Sequence, residues 1–231
     1  MIKEFKINVP SELKAVTLRQ YQAWMKILDK YKESGNTDEN FLKIKMLQNF
    51  CDLSIEDTNK IPLHSFDSVI NHINQLFADE IDIHIPTFTL VDSTGVSIEF
   101  GMIPKLDDMS FGEYVDLDKY INDVSTWHKA MAVLFRPKTS IVKDKYKIDD
   151  YEGSDKFSEY MLDAPIDVVL GAMSFMARLQ NQLLKLTQSS SQAQMMEGVE
   201  AAFKATSEEN MDGFKVFTLW LKKMQLKSMK Q

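Results

Sequence analysis

Apolar residues recur at three- and four-residue steps through most of this 231-residue chain, and that spacing places them on one side of an α-helix. The longest run follows Asp163-Ala164-Pro165, which is a typical helix start. Its apolar positions are Ile166, Val169, Leu170, Met173, Met176, Leu179, Leu183, Leu184 and Leu186. The pattern predicts a long helix with a wide apolar side, and burying that side requires other elements packed against it.

Two capping-box patterns mark further helix starts. Thr17 with Gln20 predicts one helix, and Ser110 with Glu113 predicts another, because each pair can satisfy two free backbone N–H groups. Apolar spacing predicts more helices at residues 39–50, 54–59, 65–78 and 124–135, the last of them ended by Arg136-Pro137. The chain is therefore expected to be mainly helical.

A period of two replaces the helical spacing near residues 81–100. Ile81, Ile83 and Ile85 alternate with polar residues, and two short apolar runs flank a turn at residues 92–95. A weaker strand signal lies within residues 141–151, and alternation at residues 2–9 predicts an N-terminal strand. The predicted fold class is mainly α with a small β element (α+β): a helical, bundle-like body with a β-hairpin or small sheet near residues 81–100 and a C-terminal helical arm.

The domain organisation follows from the one low-complexity stretch in the chain. Residues 1–187 form the predicted body, residues 188–194 a Ser- and Gln-rich linker, and residues 195–231 the C-terminal arm. The arm ends in a predicted amphipathic helix with lysines on its other sides. The apolar side of that helix carries Phe214, Phe217, Trp220, Leu221 and Met224.

Those five residues are the predicted partner-binding residues of the chain. Their spacing is typical of a helix that docks in a partner's groove, and the Met content of the arm favours adaptable contacts. Other interpretations stay open: the helix can fold back on the body, lie on a membrane surface, or hold nucleic acid through its lysines.

Composition narrows the classes of function. A formal charge of −7 and a pI near 5.2 disfavour a general nucleic-acid coat. Cys51 is the only cysteine, so neither an intrachain disulfide nor a multi-cysteine zinc site is available, which fits a reducing compartment. No apolar run approaches the length of about 18–20 residues that a membrane span needs, so membrane insertion is not expected.

The sequence offers few candidates for catalysis, and we expect no enzyme, cofactor or metal. Glycine-rich phosphate loops are absent, and the four histidines lack zinc-helix spacing. An acidic run could hold Mg²⁺ or Ca²⁺, but it lacks the pattern of a calcium loop, and helix-start acids with a solvated helix side explain it better. Its members are Asp107, Asp108, Glu113, Asp116, Asp118 and Asp123. A metal-dependent enzyme that uses this run is kept as the less favoured alternative.

Three segments carry a resemblance to a known family: residues 103–117 (IPKLDDMSFGEYVDL), 128–137 (HKAMAVLFRP) and 151–153 (YEG). Together with residues 18–22 (LRQYQ), they resemble a family of small tailed-bacteriophage proteins encoded among virion and tail-morphogenesis genes. By analogy, the chain is similar to tail assembly chaperones and to small baseplate-hub assembly proteins of contractile-tailed phages. It departs from a standard tail assembly chaperone in its greater length and its added arm.

The resemblance implies a non-enzymatic bacteriophage structural or assembly protein that acts through protein–protein contacts, and it supplies no catalytic residues. The expected partners are other phage structural proteins or a second copy of the chain, and the expected location is the host cytoplasm during assembly or the virion. A permanent connector or neck component of the virion is the alternative within the same class.

Overall fold

The computed structural model describes residues 7–78, 84–92, 94–104, 106, 109–142 and 145–188. Within them the fold is α+β, as predicted. The helices are α1 (Leu18–Glu33), α2 (Glu39–Cys51), α3 (Ile55–Thr58), α4 (Leu63–Leu76), α5 (Phe111–Ile121), α6 (Trp127–Leu134), α7 (Asp155–Met161) and α8 (Ile166–Gln188). The strands are β1 (Thr87–Val91), β2 (Ser97–Met102), β3 (Phe135–Val142) and β4 (Lys145–Ile148).

Both predicted capping boxes are present. The Thr17 hydroxyl accepts from the Gln20 backbone N–H at the start of α1, and the Gln20 side chain accepts from Thr17 N–H. Ser110 and Glu113 make the same reciprocal pair at the start of α5. These local signals define helix starts because each box satisfies backbone donors that the helix itself leaves free.

The strands form one antiparallel sheet in the order β1-β2-β3-β4. The predicted hairpin is confirmed as β1 and β2, with Phe88 paired to Phe100. Asp92 shapes its turn by accepting from the backbone N–H groups of Thr94 and Val96, and Gly95 adopts a positive φ of 85°.

The sheet is larger than the sequence predicted, because β3 continues directly from α6. Residues 135–137 of β3 pair with β2, and residues 138–142 pair with β4, with a shift in register between Lys138 and Ser140. Pro137 lies where the first ladder gives way to the second, so its missing N–H interrupts neither pairing fully. Helix α6 ends just before Arg136-Pro137, as predicted, but these two residues belong to strand β3.

The weak strand signal within residues 141–151 is confirmed by β4, but the described parts of two other predicted strands are irregular. Residues 7–10 have no regular structure, and residues 2–6 of the predicted N-terminal strand lie outside the described residues. Residues 84–86 are likewise irregular, and 81–83 are not described. Helix α7 was not predicted, since its seven residues have too little apolar spacing to stand out among the neighbouring acids.

The core centres on α6 and the first half of α8. Residues 130–135 are all buried, so the second half of α6 and the start of β3 lie inside the core. The start of α1 is bonded to the start of α8: Leu18 N–H donates to Ala164 O at 2.9 Å, and Ile166 N–H donates to Val16 O at 2.9 Å. These bonds fix the direction of α1 relative to α8.

Candidate interaction surface

A surface groove lies where α1, α2 and α4 meet the first half of α8. One cavity of about 360 Å³ opens there. Its lining is mainly apolar and comprises Tyr21, Trp24, Met25, Met46, Phe50, Asn74, Phe77, Leu170 and Ser174. Most of these apolar side chains are only half-buried, so the groove presents aromatic and Met surface to its opening.

A second cavity of about 280 Å³ continues the groove along α8. It is lined by Ile121, Asn122, Trp127, Leu170, Met173, Ser174 and Ala177. Leu170 and Ser174 belong to both cavities, so the two form one elongated surface, called here the apolar groove. Its polar lining residues include Asn74, Asn122 and Ser174.

Five aromatic rings run through the apolar groove in an unbroken series of contacts. Trp24 packs on Phe50 at 5.9 Å between ring centroids, Phe50 on Phe77 at 5.4 Å, and Phe77 on Tyr21 at 6.0 Å. Tyr21 stacks on Trp127 at 6.0 Å and an interplanar angle of 8°. Such ring pairs add stability beyond their buried area, so they hold the floor of the groove in one arrangement.

Side-chain amides fix the walls of the groove. Gln20 Nε2 donates to Asn49 O at 3.1 Å, and Asn49 Nδ2 donates to Gln20 O at 2.8 Å, which joins α1 to α2. On the other side of α1, Gln22 Nε2 donates to Val124 O at 2.6 Å and lies 3.2 Å from His128 Nδ1. Because these bonds reach backbone carbonyls of neighbouring elements, α1 has little freedom to close the groove.

Burial changes the titration of two groups beside the groove. It raises the pKa of the Tyr21 phenol, which is therefore neutral at physiological pH. Burial, followed by the nearby charge of Lys129, lowers the pKa of His128, so its neutral form is favoured. A neutral Nδ1 can accept the proton of Gln22 Nε2, and the lowered pKa agrees with that contact.

Residues from the three segments that carry the sequence resemblance meet around a second feature. Arg136 of β3 and Glu113 of α5 form an ion pair between side chains that are 7% and 5% exposed. The Arg136 guanidinium also lies over the Tyr151 ring at 5.4 Å, and Tyr151 OH donates to Asp116 Oδ2. These four residues are called here the polar cluster.

The polar cluster accounts for two members of the acidic run, and a helix cap accounts for a third. Glu113 accepts from both Ser110 N–H and Arg136, and Asp116 accepts from Tyr151. Asp123 caps the short 3-10 helix Val124–Thr126 through Ser125 N–H. Burial, together with the hydrogen bond to Asp116, raises the pKa of Tyr151, so the phenol keeps the proton it donates.

The described carboxylates, histidines and cysteine do not converge on an ion. Within the part of the chain that the structure describes, no group of three or more His, Cys, Asp or Glu side chains could hold a metal. Asp107 and Asp108 lie outside that part. His72 contacts Pro10 O at 2.9 Å and His84 stacks on Phe175, so these two histidines serve separate local contacts.

Cys51 lies at the buried end of α2 and packs in the core. Burial raises the pKa of its thiol to about 11, which disfavours the thiolate that nucleophilic chemistry requires. Cys51 is therefore a small apolar member of the core.

The predicted partner-binding residues Phe214, Phe217, Trp220, Leu221 and Met224 lie outside the described residues, as does the linker beyond Gln188. The apolar groove itself was only partly visible in the sequence. Tyr21, Met25, Met46, Phe50 and Phe77 occupy predicted helix stripes, but the sequence gives no sign that those stripes remain half-open.

Comparison of the chain with protein family models, with curated proteins and with solved structures finds no match. Among the described residues, no helix is both long enough and apolar enough to cross a membrane.

Proposed function

We propose that this chain is a non-enzymatic structural or assembly protein of a tailed bacteriophage and that it works by binding other tail or baseplate proteins. The observation that carries the proposal is the apolar groove, whose half-buried aromatic and Met side chains leave cavities of about 360 and 280 Å³ open. Concave apolar surface of this kind is typical of sites that receive side chains from a partner protein.

The polar cluster supports the same proposal. The resemblance to phage proteins depends on residues 103–117, 128–137 and 151–153, and Glu113, Arg136 and Tyr151 come from these three segments in turn. Each segment therefore supplies a side chain to one set of interior contacts, which gives the three segments a common structural role. The cluster also engages the carboxylates of Glu113 and Asp116, which weakens the alternative of a metal-dependent enzyme.

Co-purification tests the proposal directly. We expect the tagged chain, expressed together with the tail and baseplate genes of its phage, to retain at least one of those structural proteins. Replacement of Ser174 by Arg places a long cation where the two cavities join. We expect Ser174→Arg to lower the retained amount by about tenfold or more, because losing the centre of an interface costs at least about 1.4 kcal/mol.

Ser68→Arg is the matched control, since Ser68 is exposed on α4 and does not line the groove. It introduces the same side chain and charge and should leave retention unchanged. Retention of no tail or baseplate protein would contradict the proposal. An equal loss in both variants would show that the apolar groove is not the binding site.

The protein content of purified virions distinguishes a transient assembly chaperone from a permanent component of the particle. A transient chaperone acts in the host cytoplasm and should be absent from the finished particle. A permanent connector, neck or baseplate component should be present in it at a fixed ratio to the other structural proteins.

A further inference from the structure

We infer that the apolar groove of the isolated chain is the docking site of its own C-terminal arm, through Phe214, Phe217, Trp220, Leu221 and Met224. The inference deepens the proposed function by naming what occupies the groove before a phage partner is bound. It is tested on the purified chain alone, so its failure would leave the proposed function standing.

The size and lining of the groove suit such an occupant. A buried cavity of about 150 Å³ is enough to hold a benzene molecule, and both cavities of the groove are larger than that. Large apolar side chains at helical spacing are therefore suitable occupants. Phe214, Phe217, Leu221 and Met224 recur at steps of three, four and three residues, which the sequence predicts as one side of a helix.

The position of the groove on α8 allows the C-terminal arm to reach back to it. Ser174 lies 14 residues before the end of α8 at Gln188, which corresponds to about 21 Å along a helix. A further 25 residues separate Gln188 from Phe214. Since an extended chain spans about 3.3 Å per residue, this segment can cover the return distance several times over.

Charge favours the same pairing. Residues 1–188 carry 29 acidic and 21 basic side chains, whereas residues 214–231 carry five lysines and no acidic residue. The body and the end of the arm therefore attract each other. The tether raises the effective concentration of the arm at the groove to about the millimolar range, which favours it over a second copy or a free partner at low concentration.

Photo-crosslinking of the full chain tests the inference. p-Benzoylphenylalanine in place of Trp220 keeps a large aromatic group in the arm, and its excited ketone inserts readily into Met side chains. Met25, Met46 and Met173 line the groove, so we expect cross-links from position 220 to peptides that contain them. An equal mixture of ¹⁴N- and ¹⁵N-labelled protein separates links within one chain from links between two copies.

A matched pair of arm variants sharpens the result. Phe217 and Leu219 are two residues apart, so they lie on nearly opposite sides of the predicted helix. We expect Phe217→Lys to lower the yield of groove cross-links by about tenfold and Leu219→Lys to leave it unchanged. Both changes lie in the arm, and unchanged melting of the body shows that each variant is folded.

The expected result is a set of links within one isotopic copy, confined to groove peptides and sensitive to Phe217→Lys alone. Links between light and heavy copies would overturn the inference in favour of a second copy of the chain. Links only to other surfaces, an absence of links, or equal sensitivity to Phe217→Lys and Leu219→Lys would overturn it as well.

Discussion

The polar cluster and the apolar groove differ in whether their side chains already have partners within the chain. In the polar cluster, the Glu113 and Asp116 carboxylates take their partners from this chain, and Tyr151 covers the Arg136 guanidinium. In the apolar groove, aromatic and Met side chains border open cavities. The paired carboxylates of the polar cluster hold one internal arrangement, whereas open apolar surface leaves binding energy available for another protein.

The largest expected effect lies in the polar cluster. Arg136→Met would leave the Glu113 carboxylate buried beside an apolar side chain, and a buried charge without its partner costs about 3–5 kcal/mol. We expect the free energy of unfolding, measured by urea denaturation, to fall by that amount.

The double variant Glu113→Gln/Arg136→Met is the control for this prediction. Glutamine keeps the capping interaction with Ser110 N–H but removes the charge, so it should recover most of the lost stability. A double variant as unstable as Arg136→Met would show that packing of the Arg136 side chain, rather than pairing of charge, holds this region together.

Two neighbouring residues of α2 allow the buried core to be compared with the open groove. Leu47 is fully buried, whereas Met46 is half-buried and lines the groove. We expect Leu47→Ala to lower the free energy of unfolding by about 2–5 kcal/mol, because it leaves a cavity in a packed interior. Met46→Ala should lower it by less than about 1 kcal/mol and should instead weaken partner retention.

Urea denaturation gives both stabilities, and co-purification gives the retention. Equal destabilisation by the two variants would mean that the groove is as closely packed as the core, and the distinction between the two regions would be lost.

The smallest expected effect is on the pH dependence of stability. The pKa of His128 is lowered in the folded chain, first by burial and then by Lys129, and burial also lowers the pKa of His84. As the pH falls below about 6.5, the unfolded chain therefore binds protons before the folded chain does. Stability should decrease with falling pH until the folded-state pKa values are passed.

Urea denaturation between about pH 7.5 and about pH 5.5 measures this decrease. His128→Asn removes one titrating group while keeping an acceptor for Gln22 Nε2, so the decrease should become smaller. A stability that rises as the pH falls through this range would contradict the lowered pKa values.

Local sequence signals were sufficient to predict the starts of the helices that begin with a capping box. Thr17 with Gln20 and Ser110 with Glu113 each specify a helix start through residues three positions apart, so no tertiary information is needed. The β1–β2 hairpin was also predictable, because its turn and its alternation lie within about sixteen consecutive residues.

Features that depend on distant contacts were not predictable. Arg136 reads in sequence as part of a helix stop, and its pairing with Glu113 becomes visible only when β3 is placed beside α5. The groove was hidden for the same reason. Apolar residues at helical spacing show which side of a helix is expected to be buried. Whether Tyr21 and Trp24 are fully covered depends on the distances of α2, α4 and α8 from α1.

The backbone bonds between the start of α1 and the start of α8 have a consequence for how the chain folds during its synthesis. Leu18 N–H donates to Ala164 O, so α1 gains its final neighbour only after 146 further residues have been made. At typical rates of translation this delay is roughly 7–29 s. During that interval α1 lacks the backbone bonds that join it to α8, so the docking of α1 on α8 is a late step of folding during synthesis.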